Sequence, residues 1–230
     1  MIAWCSAAPS PSGSSPSAII AARSSPATSA SVWQYGYGPY DESEKRVARF
    51  TPLPYFTGQA WQGGANVPDP QLSYLMLTAD GGHPGMNARF AAIRRWVAPM
   101  DCVVSIQGVL RHEGKQGDGV QGRIVSSRAG ALGKWVAFGG KAETNVAQAD
   151  VKKGDTLDFV VDCRSEHSFD SFTWAPTIRA LTPGSGTIPA SQGELQVWKA
   201  SADFGGHGVL TAWEKYAQAL LMTNEFCFVD

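Results

Sequence analysis

The clearest alternation of apolar and polar positions lies between Gly154 and Ile178. Apolar and polar residues take turns along it, with Leu157, Phe159 and Val161 set against Thr156, Asp158 and Asp162. A period of two residues predicts a strand with one face in a core and the other in water. A turn-prone segment leads on to Phe172 and Trp174, which share one face, and Pro176 limits that second strand. The stretch therefore predicts a hairpin-like unit.

Similar short patterns recur from Trp33 to Leu181. Candidate strands cover residues 33–38, 47–55, 72–79, 91–98, 102–110, 120–126, 132–138 and 142–149. Together with the first stretch they make roughly nine or ten strands, separated by turns at the spacing typical of sandwiches and barrels. The 25 glycines and 14 prolines fit this turn-rich pattern. We therefore predict an all-β fold, a jelly-roll-like antiparallel β-sandwich over residues 31–181.

The two ends of the chain differ from this middle part. Residues 1–30 are rich in Ser, Ala and Pro and predict a disordered tract, and residues 182–208 predict a linker. Residues 209–230 predict a C-terminal helix and tail, because one apolar stripe recurs at helical spacing through Trp213, Tyr216, Ala217, Leu220 and Leu221. This apolar tail either contacts a missing partner domain or folds back over the sandwich.

Charge and hydropathy exclude some partners. The 19 basic and 20 acidic residues give a net charge of −1, and no block of like charge stands out. We therefore expect neither a nucleic-acid groove nor a polybasic membrane patch. No apolar run approaches the roughly 18 residues of a membrane span.

The four cysteines are widely scattered. Cys5, Cys102, Cys163 and Cys227 form neither CxxC nor CxxCH, so the sequence predicts no zinc knuckle, no thioredoxin-type motif and no covalently attached haem. Cys102 and Cys163 both fall in predicted strands. They form a disulfide only if those strands are neighbours, and are otherwise small buried residues.

Aromatic residues near turns are the first candidates for ligand binding. Tyr35, Tyr37 and Trp61 lie close to glycines, where a ring can stay exposed as a platform for a sugar, although core packing is the alternative. His112, Glu113 and Asp118 belong to one polar loop and could add hydrogen bonds, or could simply be solvated. Trp96 and Trp174 sit in strong strand patterns and are expected in the core.

Acidic residues suggest a second type of site. Asp155, Asp158, Asp162 and Asp170 could approach one another and bind calcium through oxygen ligands, or could serve ordinary turns and a wet strand face. We expect Arg123 and Arg128 to pair with these carboxylates. No other cofactor is expected.

The sequence contains no recognisable catalytic motif. It has no GxSxG, no P-loop and no Cys–His pair at a known spacing. Glu113 and Asp118 can be named as a glycosidase pair, but only their measured separation would support that role.

Several motifs resemble a known family. WQYGYGPYDE, FTPLPYFTGQAWQGG, LTADGGHPG and GDTLDFVVDCRS, with the tail WEKYAQALLMTNEFCFVD, are similar to the C-terminal β-rich module and closing motif of large Planctomycete-type cytochrome c proteins that end in a domain of unknown function. The resemblance implies an extracytoplasmic multidomain protein linked to polysaccharide breakdown. Haem is not implied for this chain, which lacks CxxCH.

Three functions follow as hypotheses. The first is a non-catalytic carbohydrate-binding or docking module of a larger extracytoplasmic protein, with a polysaccharide or glycan as its ligand. The second is a structural module that packs on the missing upstream domains of its parent protein and binds no glycan. The third and weakest is a glycoside hydrolase. Fold alone does not decide among them.

Overall fold

The computed structural model describes residues 31–181 and 195–205. These residues form an all-β, sandwich-like fold of antiparallel strands, with one 3-10 turn at Ala88–Phe90. The strands are β1 (Trp33–Gly38), β2 (Tyr40–Asp41), β3 (Arg46–Val47), β4 (Thr51–Pro52), β5 (Tyr55–Phe56), β6 (Ala60–Gln62), β7 (Met76–Thr78), β8 (Gly81–His83), β9 (Ala91–Val97), β10 (Cys102–Gln107), β11 (Val109–His112), β12 (Val120–Ser126), β13 (Gly130–Ala137), β14 (Gly140–Glu143), β15 (Val146–Val151), β16 (Thr156–Asp162), β17 (Phe172–Thr173), β18 (Thr177–Ala180) and β19 (Val197–Lys199).

One layer is a six-stranded sheet in the order β13-β12-β16-β9-β1-β4. Its central strand β16 pairs antiparallel with β9 on one side and β12 on the other. The predicted hairpin between β16 and the strand that follows it is therefore wrong, because β17 and β18 lie in other sheets. The period-two pattern correctly predicts strand β16 but does not indicate which strands pair with it.

The other layer consists of two sheets, ordered β15-β10-β18-β19 and β14-β11-β17-β8-β7-β6-β5. They belong together because β10 continues into β11 with only Gly108 between them, and β17 leads to β18 across three residues, Trp174 to Pro176. The predicted strand 102–110 is thus interrupted at Gly108. Likewise, the predicted strand 142–149 is two strands, and the predicted strand 47–55 is only short pieces.

The core lies between the layers. Side chains from both contribute to one buried cluster, including Trp96, Leu157 and Phe159 from the six-stranded sheet and Val104, Ile106 and Ile178 from the opposite layer. Trp174 packs edge-on against Phe159, with ring centroids 5.5 Å apart. Trp96 and Trp174 are buried as the sequence predicts.

A second, smaller cluster covers the outer face of the six-stranded sheet. Ile93, Val125 and Val160 pack there with Tyr40, Val47 and Phe50, which come from the β2–β3 region. Gly36 lets this segment approach, because a Cβ there would lie 2.6 Å from the Phe50 ring. Asp158 and Asp162 on this face are consequently buried, whereas the strand pattern predicts that they are wet.

Residues 195–205 complete the core. β19 pairs with β18, and Trp198 packs on Trp96 with ring centroids 5.0 Å apart. The sequence places this segment in a linker and predicts no strand in it. The predictions of a disordered tract at 1–30, of a linker over the rest of 182–208 and of a C-terminal helix and tail at 209–230 fall outside the described residues. Within those residues, no helix has the length and apolar character needed to cross a membrane.

Candidate functional site

The predicted aromatic platform is mostly part of the core. Tyr35 is 5% exposed and Trp61 8%, and their rings stack with centroids 6.0 Å apart. Phe204 packs edge-on against Tyr35 at 4.8 Å, and the indole nitrogen of Trp61 donates to the Gly205 carbonyl at 3.2 Å. Of the two alternatives for Tyr35 and Trp61, core packing is the one observed, because residues 195–205 cover both rings. Tyr37 is half-buried against Phe90.

His112 ends strand β11 and is fully buried, so it is not a solvated loop residue. Its Nε2 lies 2.8 Å from the Phe169 carbonyl oxygen, and its Nδ1 accepts from the Gly139 amide at 3.4 Å. His112 thus ties the start of β14 to the segment before β17.

Two loops meet beyond His112. The Ser165 amide donates to Asp118 Oδ2 at 3.1 Å, and the Arg164 guanidinium donates to the Asp118 carbonyl. Gly117 has a φ of +77°, and a Cβ there would lie 2.6 Å from the Ser168 carbonyl oxygen. Only glycine suits both conditions. We call the region formed by residues 112–119, 138–140 and 163–170 the loop end; Glu113 lies exposed at its start.

The loop end carries two exposed aromatic rings that the sequence patterns did not single out. Phe138 is 51% exposed and Phe169 60%. The Phe138 ring packs on the buried His112 ring with centroids 6.0 Å apart and planes 28° apart, while the Phe169 carbonyl accepts from the same histidine. Phe138 ends the predicted strand 132–138 and Phe169 lies in a turn-prone segment, so the strand pattern does not mark either one as a site residue.

Phe169 adopts a left-handed backbone conformation with a φ of +66°. For a bulky residue with a Cβ this costs about 1–2 kcal/mol, and it is uncommon outside turns and functional sites. The hydrogen bond from His112 and the burial of the next residue, Asp170, hold it in place.

Asp170 is fully buried, and neither carboxylate oxygen has a hydrogen-bond partner within the part of the chain that the structure describes. Burial raises the pKa of Asp170 to about 7, and the negative charges of Asp118 and Glu166 add to this effect. Burial favours the protonated form of Asp118, but hydrogen bonds from Ser165 and Glu166 and the positive charge of Arg164 together outweigh it, so the pKa of Asp118 lies below its ordinary value.

The other three predicted calcium ligands each pair with an arginine. Asp155 accepts from Arg128 Nε at 2.7 Å, Asp158 from Arg95 at 2.7 and 2.8 Å, and Asp162 from the Arg123 guanidinium. The predicted pairing of Arg123 and Arg128 with these carboxylates is confirmed. The four aspartates are not brought together, since no three His, Cys, Asp or Glu side chains of the described residues form a metal-binding group.

Cys102 and Cys163 are both buried and free, so they do not form a disulfide. Burial raises the pKa of the Cys163 thiol to about 11, with a further contribution from the negative charge of Asp170. Of the two alternatives for these cysteines, the small buried residue is the one observed.

Comparison with known proteins adds no argument about the site. No family model, curated protein or solved structure matches the chain.

Proposed function

We propose that this chain is a non-catalytic carbohydrate-binding module and that the loop end holds its ligand. One observation carries the proposal. Two exposed aromatic residues, Phe138 and Phe169, both contact the same buried histidine, Phe138 through its ring and Phe169 through its backbone carbonyl. Exposed rings beside a few polar groups are the usual composition of a site for a small or extended ligand.

The chemistry of the loop end suits a sugar. The apolar C–H face of a pyranose ring stacks on an aromatic ring, and its hydroxyls need hydrogen-bond donors and acceptors at the rim. Glu113 is exposed in the same loop end, and the backbone of residues 113–119 supplies further polar groups. His112 fixes the Phe169 backbone and supports the Phe138 ring, so little conformational freedom remains to be lost on binding.

The fold is consistent with such a module. The chain alternates between the layers, with β9, β12, β13 and β16 in the six-stranded sheet and the pairs β10–β11 and β14–β15 between them in the other layer. This alternation supports the finer description of the sandwich as jelly-roll-like. The setting in a larger extracytoplasmic protein linked to polysaccharide breakdown rests on the family resemblance alone.

Catalysis is the weakest of the three hypotheses. A glycosidase acid requires a carboxyl group whose pKa is raised. The pKa of Asp118 is lowered, because hydrogen bonds from Ser165 and Glu166 and the charge of Arg164 together outweigh the effect of its burial. Asp118 is therefore a poor proton donor for the pair with Glu113.

The structural hypothesis differs in what it expects of the exposed rings. A module that packs on upstream domains of its parent protein would bury Phe138 and Phe169 against protein and bind no glycan. Affinity electrophoresis in soluble polysaccharides and a glycan array, both with the full chain, separate the two functions.

The variants for this test are F138A and F169A, with Y55A as the matched control. Tyr55 is another exposed aromatic residue, 42% accessible, and it lies on β5 at the edge of its sheet. We expect each phenylalanine variant to lose at least about tenfold in affinity, the usual effect of removing a central aromatic anchor. Y55A should bind normally. A folded wild-type chain that binds no glycan would refute the carbohydrate function and favour the packing role.

A further inference from the structure

The Asp170 carboxylate has no hydrogen bond, and no basic group lies at hydrogen-bond distance from it among the described residues. Its side chain is fully buried, and both carboxylate oxygens are without a hydrogen-bond partner in residues 31–181 and 195–205. A buried carboxylate without a donor or counter-charge is strongly unfavourable. Such a group in a native fold calls for a specific explanation.

The nearby basic groups do not supply one. His112 Nε2 lies 3.9 Å from Asp170 Oδ1, beyond hydrogen-bond distance. Both ring nitrogens of His112 are already used, one by the Phe169 carbonyl and the other by the Gly139 amide. Arg164 is exposed, and its guanidinium donates to the Asp118 carbonyl.

Asp118 carries a second unpaired oxygen in the same region. Its Oδ2 accepts from the Ser165 amide, but its Oδ1 is buried without a partner. The loops that carry the two aspartates contact each other through Ser165 and Arg164, and the charges of Asp118 and Asp170 act on one another. Three buried carboxylate oxygens of two like-charged groups thus lie unpaired where two loops meet.

We infer that Asp118 and Asp170 form a divalent-cation site that takes calcium. Calcium accepts carboxylates, backbone carbonyls and water in a flexible shell of oxygen ligands. Since no third acidic side chain joins the two aspartates among the described residues, carbonyl oxygens and water have to complete the shell. Zinc is a poorer match, because it favours nitrogen and sulfur ligands and His112 has no free ring nitrogen.

The cation would join the loops that flank Phe169. It would replace the missing counter-charge of Asp170, the residue that follows the left-handed Phe169, and it would hold residues 113–119 against residues 163–170. This site differs from the set of four aspartates suggested by the sequence, of which only Asp170 remains. It does not depend on whether the loop end binds a carbohydrate.

The test uses the full chain, stripped with chelator and dialysed, and titrated with calcium chloride in a calorimeter. We expect about one calcium ion per chain. Thermal unfolding should move upward by roughly 5–10 °C when free calcium exceeds its Kd about a hundredfold. D170N and D118N should each lose this shift and bind at least tenfold more weakly. The control D155N, which alters the Arg128-paired aspartate, should keep both.

A comparison without calcium excludes a merely structural role. In chelator, D170N should unfold at the same temperature as the wild type or higher, because the amide carries no buried charge. With calcium the order should reverse. If D170N does not fold, D118N and the wild-type titration still decide. Two results would overturn the inference. One is a folded wild type that shows no heat of binding and no shift in unfolding temperature with calcium or magnesium. The other is a D118N variant that binds calcium as tightly as the wild type.

Discussion

Arg95 and Asp158 face each other in register across strands β9 and β16 and form a doubly hydrogen-bonded ion pair. The pair lies on the outer face of the six-stranded sheet, where the Phe50 ring packs 4.1 Å from the guanidinium carbon. Asp158 is buried, and this burial raises its pKa although Arg95 opposes the effect. The fold tolerates the buried Asp158 carboxylate because Arg95, its partner, is held in place by the Phe50 ring.

Removing only one member of this pair should be costly. We expect R95M to lower the free energy of unfolding by about 3–5 kcal/mol, since it leaves a buried carboxylate without a partner. The double variant R95M/D158L should recover much of that loss. Urea unfolding followed by circular dichroism measures both. K152A, which breaks the exposed pair with Asp101, is the control and should cost no more than about 1 kcal/mol. A loss of that small size in R95M would contradict this account.

Glycine at position 169 should relieve backbone strain. Phe169 holds a φ of +66° and is largely exposed, so F169G loses little packing and removes the left-handed penalty of about 1–2 kcal/mol. F169A keeps that penalty. We expect F169G to be more stable than F169A by about 1 kcal/mol in urea unfolding.

Position 138 provides the matched comparison. Phe138 is also exposed and has no left-handed backbone. F138G should therefore be less stable than F138A by about 0.5–1 kcal/mol. If the alanine variant were more stable than the glycine variant at both positions, the backbone of Phe169 would not be strained.

The two buried thiols should be unreactive in the folded chain. Burial raises the pKa of Cys102, and that of Cys163 lies at about 11, so both are protonated at pH 8 and only a thiolate attacks a disulfide reagent. With Cys5 and Cys227 replaced by serine, we expect negligible labelling by Ellman's reagent at pH 8. The rate should rise about tenfold per pH unit while the thiol remains mostly protonated.

Unfolding provides the control for this experiment. Both thiols should react at once in guanidinium chloride, because unfolding exposes them and so removes the burial that raises their pKa. The raised pKa of folded Cys163 also means that its contribution to stability falls as the pH rises from about 9 to about 11. An intact mass lower by two hydrogen atoms, with no thiol becoming reactive on unfolding, would instead indicate a disulfide.

The hydroxyl of Tyr35 should add nothing to stability. It is buried with no hydrogen-bond partner among the described residues, and burial raises its pKa to about 12. We expect Y35F to be neutral or stabilising by up to about 1 kcal/mol, because it removes an unsatisfied polar atom. Y35A, which also removes the ring stacked on Trp61, should cost about 3–5 kcal/mol. Destabilisation of Y35F by more than about 1 kcal/mol would reveal a hidden partner for the hydroxyl.

Much of the strand content could be read from the sequence, because alternation reports directly which residues face a core. Leu157, Phe159, Trp96 and Trp174 are buried as predicted. What covers the opposite face of a strand is not encoded locally. Asp158 is buried by Phe50 and Arg95, both distant in the chain, and the alternation treats it as exposed.

The candidate site shows the same division. The polar loop with Glu113 and Asp118 does belong to the region with exposed rings. Tyr35 and Trp61 do not, because residues more than a hundred positions later cover them. No periodic pattern marks Phe169, because what distinguishes it is its positive φ and the buried carboxylate of the next residue, Asp170.

The segment 195–205 also fixes where this protein can be cut. Trp198 on Trp96, Phe204 on Tyr35 and Gly205 on the Trp61 indole form one side of the core. A fragment that stops at Leu181, where the strand pattern ends, would expose three large aromatic residues to water. The smallest expressible unit therefore extends past Phe204, and shorter fragments should aggregate through their uncovered rings.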